Sequence, residues 1–202
     1  METTDKRRLL RLLLPPVLLA VVAVLLVIVG QRLTAPGIAA ARHQHGLAMV
    51  NRVLPLAHDN DLLADVGSAT LPGQPTAVSL YRARQDGRPV GLVMVPVVAR
   101  GYVDTVELAV GISYDGAVTG VEVVRHRETR GLGDQVHQDR SSWLQQFYGR
   151  SLDTTATPGW AVRTDGGEFD ALSGATITPR GIINAIRDAL EWHAAARDSL
   201  YR

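Results

Sequence analysis

The sequence predicts an α+β protein: one N-terminal transmembrane helix, then a single extracytoplasmic domain with a small antiparallel sheet and flanking helices. Three observations carry this expectation. Leu12 to Gly30 is an apolar run without a charged residue. Between Thr76 and His126 the chain runs through β-branched, alternating stretches divided by turn residues. From Pro179 to Ala195, apolar residues recur at helical spacing. A chain of 202 residues has room for one anchor and one domain with a real core.

The N-terminal run comes first. A helix over Leu12–Gly30 rises about 28 Å, close to the hydrocarbon thickness of a bilayer. Pro15 and Pro16 fall in its first turn, where missing N–H groups cost little. Lys6, Arg7, Arg8 and Arg11 precede the run, whereas Arg32 and Arg42 are the nearest basic residues after it. That asymmetry puts residues 1–11 in the cytoplasm as a tail, residues 12–30 in the membrane and residues 31–202 outside. A cleaved signal peptide is the rival, with Ala39, Ala40 and Ala41 as small residues for cleavage. The apolar run exceeds the usual signal-peptide core of roughly 7–15 residues, which favours a retained anchor.

The outer domain follows in order. Ala39–Leu54 has Leu47, Val50 and Leu54 on one helical face, and Asp61-Leu62-Leu63 opens a second short helical piece. Gly67–Pro75 is expected to be a loop. Strands are expected over Thr76–Ala83, Val90–Val98, Tyr102–Ser113 and Val118–His126, the last two joined through Asp115-Gly116 in a type I′ turn. Gln138–Tyr148 has helical spacing through Trp143, Leu144 and Phe147, and Trp160–Arg163 reads as a short strand. The last helix, Pro179–Ala195, is expected to take Thr178 as N-cap and Pro179 as its first residue, and to bury Ile182, Ile183, Ile186, Leu190 and His193.

Composition excludes several functions. There is no cysteine, so no disulfide, thiolate metal site, cysteine nucleophile or cysteine-linked lipid exists. The formal net charge is +1 and no basic run lies beyond the N-terminal tail, which argues against nucleic acid. No metal site and no catalytic nucleophile is expected.

The chemistry concentrates at Ser173-Gly174-Ala175-Thr176-Ile177-Thr178-Pro179-Arg180. Three hydroxyls and a glycine stand directly before a helix, whose free N–H groups and partial positive charge suit a phosphate. Gly174 allows close backbone approach and Arg180 adds a fixed charge. A plain capped helix after a Ser/Thr-rich turn explains the same residues, and physical chemistry alone leaves both readings open.

Asp170-Ala-Leu-Ser-Gly-Ala-Thr176 resembles the Asp-x-x-Ser/Thr-Gly-Ala-Thr motif of the FMN-binding domain family, matching at every fixed position. The resemblance implies covalent FMN, joined through its phosphate to the Thr176 hydroxyl by a flavin transferase that uses FAD. Ser173, Gly174 and Ala175 would belong to the recognition motif, Asp170 would serve the transferase, and Thr178 would lie at the cofactor site. Arg127-Glu128-Thr129-Arg130-Gly131-Leu132-Gly133-Asp134 resembles the family's His-x-Glu-Thr-Pro-Gly-Leu-Gly segment, with Arg130 in the place of the proline. It implies that Glu128, Thr129, Gly131, Leu132 and Gly133 contact the flavin, the loop offering backbone N–H groups and one apolar side chain. Without the resemblance, a plain turn after the Val118–His126 strand is the favoured reading of that segment. His126 and His137 lie nearby, either tuning the flavin or simply exposed.

Along essentially its whole length the chain is similar to the G subunit of the Rnf ion-translocating electron-transport complexes, and also to the usually longer C subunit of the sodium-translocating NADH:quinone reductase. The resemblance implies an electron-transfer subunit of the ferredoxin/NAD type in the bacterial inner membrane, with the other membrane subunits of an Rnf-type complex and a flavin transferase as partners. A stand-alone membrane-anchored flavoprotein reductase and a non-redox anchored binding or assembly module are the alternatives.

Overall fold

The structure is a computed structural model that describes residues 19–20, 23–34, 44, 46–172 and 175–202. Its contacts divide the chain into two units, Met1–His45 and Gly46–Arg202. In the first, residues 23–34 are helical, and the side chains of Val24, Leu25, Leu26 and Val27 are exposed. No helix among the described residues is long and apolar enough to cross a membrane. The tail at 1–11 and the first part of the expected span, Leu12–Leu18, lie outside the described residues.

In the second unit, five strands form one antiparallel sheet in chain order: β1 (Val66–Ala69), β2 (Val78–Gln85), β3 (Arg88–Arg100), β4 (Thr105–Ser113) and β5 (Val118–Arg125). Neighbours in sequence are neighbours in space, so short turns suffice to connect them. Asp86 (φ 50°) and Gly87 (φ 73°) link β2 to β3 as a two-residue turn with both central φ angles positive. The ladder between β3 and β4 shifts register between Met94 and Val97, bracketing Pro96, which has no N–H to contribute.

Each face of the sheet buries a different set of residues. On one, Leu80, Leu92, Met94, Leu108, Val110 and Ile112 pack with Ile182, Ile183, Ile186 and Ala189 of the long helix α2 (Ile177–Leu200). Trp143, Phe147, Trp160 and Phe169 extend this core; the Phe147 and Phe169 rings stack 4.8 Å apart. On the other, a short helix at residues 46–53, here α1, sets Val50 and Val53 with Leu54 and Leu62 against Ala83, Val93 and Ala109. Gly111 and Gly120 are paired in register beneath the Val53 carbonyl, and a side chain at either would strike it. The Thr119 hydroxyl donates to that same carbonyl at 2.8 Å.

The structure corrects several expectations. Gly67–Pro75 is not all loop: residues 66–69 become the edge strand, because β2 supplies ladder partners that the local sequence does not announce. Tyr102 lies outside β4, which starts at Thr105, after a turn in which the Gly101 N–H donates to the Asp104 carbonyl at 3.0 Å. Asp115-Gly116 is not a type I′ turn, since Gly116 alone has positive φ (93°); the Gly116 N–H donates to the Ser113 carbonyl at 2.9 Å, and the longer loop is of the type I plus bulge form. The type I′ turn falls instead at Asp86-Gly87. Gln138–Tyr148 makes only a 3-10 turn at Trp143–Phe147, and Asp61–Leu63 makes turns rather than a helix. Trp160–Arg163 is not a strand; between two 3-10 turns it forms a single bridge, Val162 to Phe169. The final helix starts two residues earlier than expected, with Thr176 as its N-cap, and ends at Leu200 rather than Ala195.

Candidate functional site

The start of α2 and the loop after β5 meet at a pocket of about 310 Å³. Glu128, Thr129, Leu132 and Gly133 line it from the loop, Ala175, Thr176 and Ile177 from the helix start, and Tyr102 from the turn before β4. Two segments more than forty positions apart in the sequence, each singled out by its own motif, therefore form one cavity.

Thr176 has φ −101° and ψ −24°, and its carbonyl accepts the first helical hydrogen bond, from the Arg180 N–H at 3.3 Å. Its side chain is exposed and makes no capping hydrogen bond. A threonine at this position ordinarily caps the helix through its hydroxyl. Here the hydroxyl is left out of the cap, beside the open N–H groups of the first turn. Ala175 precedes it, its N–H donating to the Leu172 carbonyl at 3.2 Å. Ser173 and Gly174 lie outside the described residues.

The loop is tied at both ends. Gly131 takes φ 79°, open to glycine at little cost, and its N–H donates to Asp134 Oδ1 at 2.7 Å. The Leu132 and Asp134 N–H groups both donate to the Thr129 carbonyl, at 3.2 and 3.3 Å. This arrangement turns the Leu132 side chain outward, 46% exposed at the rim of the pocket. Arg130, in the place of the family's proline, is exposed, and the hydrogen bonds of Gly131 and Asp134 do the ordering that a proline would otherwise assist.

Glu128 is only 7% exposed. Its Oε1 accepts the Val103 N–H at 3.1 Å and its Oε2 accepts the Thr178 hydroxyl at 2.8 Å. Gly101 and Gly133 lie against the carboxylate so closely that a side chain at either would collide with it. Thr178 is fully buried at the second position of α2, where its Oγ1 also accepts the Tyr102 N–H at 3.3 Å. It is therefore neither the N-cap nor a lining residue of the pocket; it joins three chain segments behind the wall.

Other residues of the two motifs lie farther out. The Asp170 carboxylate pairs with Arg163 Nε at 3.0 Å on the surface. The Asp170 backbone is clamped from both sides: its carbonyl accepts Trp143 Nε1–H at 2.7 Å and its N–H donates to Gln146 Oε1 at 2.7 Å. Arg180 does not reach the pocket. It forms a bidentate pair with Asp165 at 2.6 and 2.8 Å, and those hydrogen bonds hold the Asp165 carboxyl below the usual carboxylate range. His126 and His137 face one another, ring centroids 5.8 Å apart, in a neighbouring polar cleft of about 530 Å³ that shares Glu128 with the first pocket. Among the described residues no group of acidic and histidine side chains has the arrangement of a metal site.

Sequence reasoning missed Tyr102 and Ile177. Tyr102 is 71% exposed and Ile177 stands at the first helical position, both beside Leu132 on the rim. An aromatic residue directly after Gly101 was the available signal, but the strand pattern that follows absorbed it.

These features define an α+β domain with a cleft of about 310 Å³, apolar at its rim, beside a helix N-terminus and a threonine hydroxyl that does not cap it. A family model described as an FMN-binding domain matches residues 101–191, the stretch that holds every lining residue. The chain is 36% identical over 204 residues to the G subunit of the ion-translocating oxidoreductase complex of Pseudomonas aeruginosa, covering 99% of this chain and 95% of that one. It is 34% identical over 178 residues to the protein of the same name from Aliivibrio fischeri, covering 86% and 85%. Among solved structures, the crystal structure of Shewanella oneidensis NqrC aligns with a TM-score of 0.48 and 24% identity over 70% of this chain and 74% of that one, too distant to add to the description above. The chain belongs to the family of G subunits of ion-translocating oxidoreductase complexes, a family of redox-complex components.

Proposed function

We propose that this chain is an electron-transfer subunit of an Rnf-type complex and carries FMN covalently, through a phosphoester to the Thr176 hydroxyl. The observation that carries the reading is the meeting of the Glu128–Gly133 loop and Ala175–Thr176 at one pocket beside the first turn of α2. The residues present fit the group. Thr176 offers a hydroxyl that the helix cap does not use, and the helix N-terminus favours a phosphate's negative charge by a few tenths to about 1 kcal/mol. Leu132, Ile177 and Tyr102 supply apolar surface for a flat ring. Thr129 and Gly133 line the cleft from the loop, whereas Gly131, expected from the motif to contact the flavin, is not among the lining residues and instead shapes the loop through its N–H bond to Asp134. Ser173 and Gly174 complete the attachment sequence, and Asp170, exposed and away from the pocket, suits recognition by the flavin transferase.

When attached, FMN supplies one- and two-electron chemistry, and the protein's part is placement. Attachment from FAD would form the Thr176 Oγ–phosphorus bond and break the pyrophosphate bond to AMP, the leaving group, with the hydroxyl proton passing to solvent. The apolar run at residues 12–30 anchors the chain in the bacterial inner membrane, with residues 1–11 cytoplasmic and residues 31–202 periplasmic; the basic tail before the run supports that orientation. Alkaline extraction of membranes that leaves the chain in the soluble fraction would overturn the anchor.

The decisive test is denaturing electrophoresis under ultraviolet light, on protein made together with its flavin transferase. A fluorescent band is expected in the wild type and none in Thr176→Ala, with mass spectrometry finding FMN on the peptide that contains Thr176. A wild-type band without fluorescence overturns covalent flavin; a fluorescent Thr176→Ala band overturns the attachment residue.

A further inference from the structure

We infer that Glu128 is a positioning residue whose buried charge lowers the redox potential of the flavin, with the hydrogen bond it accepts from Thr178 moderating the effect, and this rests on the flavin reading given above. The motif places Glu128 among residues that contact the cofactor, yet both of its oxygens are already engaged. Oε1 accepts the Val103 N–H and Oε2 accepts the Thr178 hydroxyl. These partners come from the turn before β4 and from the first turn of α2, so one carboxylate fixes the spacing of the three segments that line the pocket. Gly101 and Gly133 both lie against the carboxylate where no side chain would fit. The first turn of α2 contains no acidic residue of its own. Glu128 supplies a negative charge there from elsewhere in the chain, where the helix N-terminus favours it.

A buried carboxylate at the wall of a cofactor site acts on the cofactor's electron count as well as on its geometry. Adding an electron next to a negative charge is disfavoured, and burial leaves that repulsion poorly screened. The Thr178 hydroxyl and the Val103 N–H draw part of the charge away from the pocket. Glu128 therefore holds the flavin's midpoint potential down, and Thr178 moderates the effect.

Redox titration of the purified full-length, flavin-loaded chain tests this, with the fluorescent band and the thermal midpoint followed in each variant. Glu128→Gln, which keeps size but loses charge, is expected to raise the midpoint potential. Thr178→Val, which leaves the carboxylate without its hydroxyl donor, is expected to lower it, and Thr178→Ser, which restores the hydroxyl, to return it to the wild-type value. In the Glu128→Gln background, Thr178→Val is expected to have little further effect. An unchanged or lowered potential in Glu128→Gln, or independent additive shifts from the two positions, overturns the inference while the flavin reading stands. A wild-type band without fluorescence overturns the flavin reading and this inference with it. Should Glu128→Gln fail to fold, the opposed behaviour of Thr178→Val and Thr178→Ser still decides: equal potentials in these two overturn the proposal.

Discussion

At the scale of single residues, several glycines stand where a side chain would strike neighbouring backbone, and Gly181 shows what that costs to change. It lies in the first turns of α2, where alanine should help by about 0.5–1 kcal/mol on helix propensity alone. A side chain there would, however, meet the backbone carbonyl of Arg100 at the end of β3. Backbone cannot rotate aside as a side chain can, so Gly181→Ala is expected to lower stability by about 1–3 kcal/mol, read as a lower denaturation midpoint. An unchanged or raised midpoint would mean that propensity, not contact, decides this position. The same close packing explains why Thr178, read from sequence as a cap, is a buried joint instead. A hydroxyl's role depends on what lies opposite it, and Glu128 lies fifty positions away in the chain.

At the scale of elements, α2 is held at both ends by residues outside it. Its C-terminal carbonyls are met from β2: Arg84 donates to the Tyr201 carbonyl at 2.6 Å and Arg82 to that of Leu200. Cations at a helix C-terminus complement its partial negative charge. Both arginines are oriented in turn by Asp65, at 2.7 Å from Arg84 and 3.2 Å from Arg82. Burial pushes the Asp65 carboxyl up, but the hydrogen bonds from Arg84 and Arg82 and their charges outweigh it and leave it below its ordinary value of 3.8. A carboxyl lowered on folding stabilises the fold above that ordinary value and loses the contribution as pH falls through the folded one. Asp65→Asn is therefore expected to cost on the order of 1 kcal/mol at neutral pH, less at high salt, because the side chain is partly exposed. Urea unfolding curves of the two proteins should converge as pH drops below the ordinary aspartate range; a gap independent of pH would rule out the ion pair as its source. The elements themselves were unequally legible. The β2–β5 region and α2 announce themselves through long, regular patterns, whereas β1 and the 3-10 turns do not, since each exists only where the sheet or the aromatic core provides a partner.

At the scale of the whole molecule, acid sensitivity should trace to one buried imidazole. His193 lies fully buried on the inner face of α2, its Nε2 at 3.1 Å from the Tyr201 hydroxyl. Burial, with the Arg197 charge adding to it, pushes His193 down from 6.5 to about 4. The unfolded chain then binds a proton at this site that the folded chain refuses, between roughly pH 6.5 and 4. Stability is therefore expected to fall as pH drops through that window and to be insensitive to this group above it. His193→Gln, neutral throughout, should flatten the slope of the denaturation midpoint in that interval; an identical slope would place the acid sensitivity elsewhere.

The composition-level exclusions, the α+β class, the strand-rich middle, the apolar face of α2 and the two motifs at residues 127–134 and 170–176 are legible in the sequence, because these depend on local periodicity or on contiguous residues. Tertiary contacts alone show that the two motifs share one pocket, that Tyr102 and Ile177 stand on its rim, that Thr176 rather than Thr178 is the N-cap of the helix, and that Thr178 holds Glu128 at the pocket wall. Those outcomes turn on contacts between segments far apart in the chain. No local pattern encodes such a contact, and burial fixes it only once the sheet has brought its turns and the start of α2 to one end of the domain.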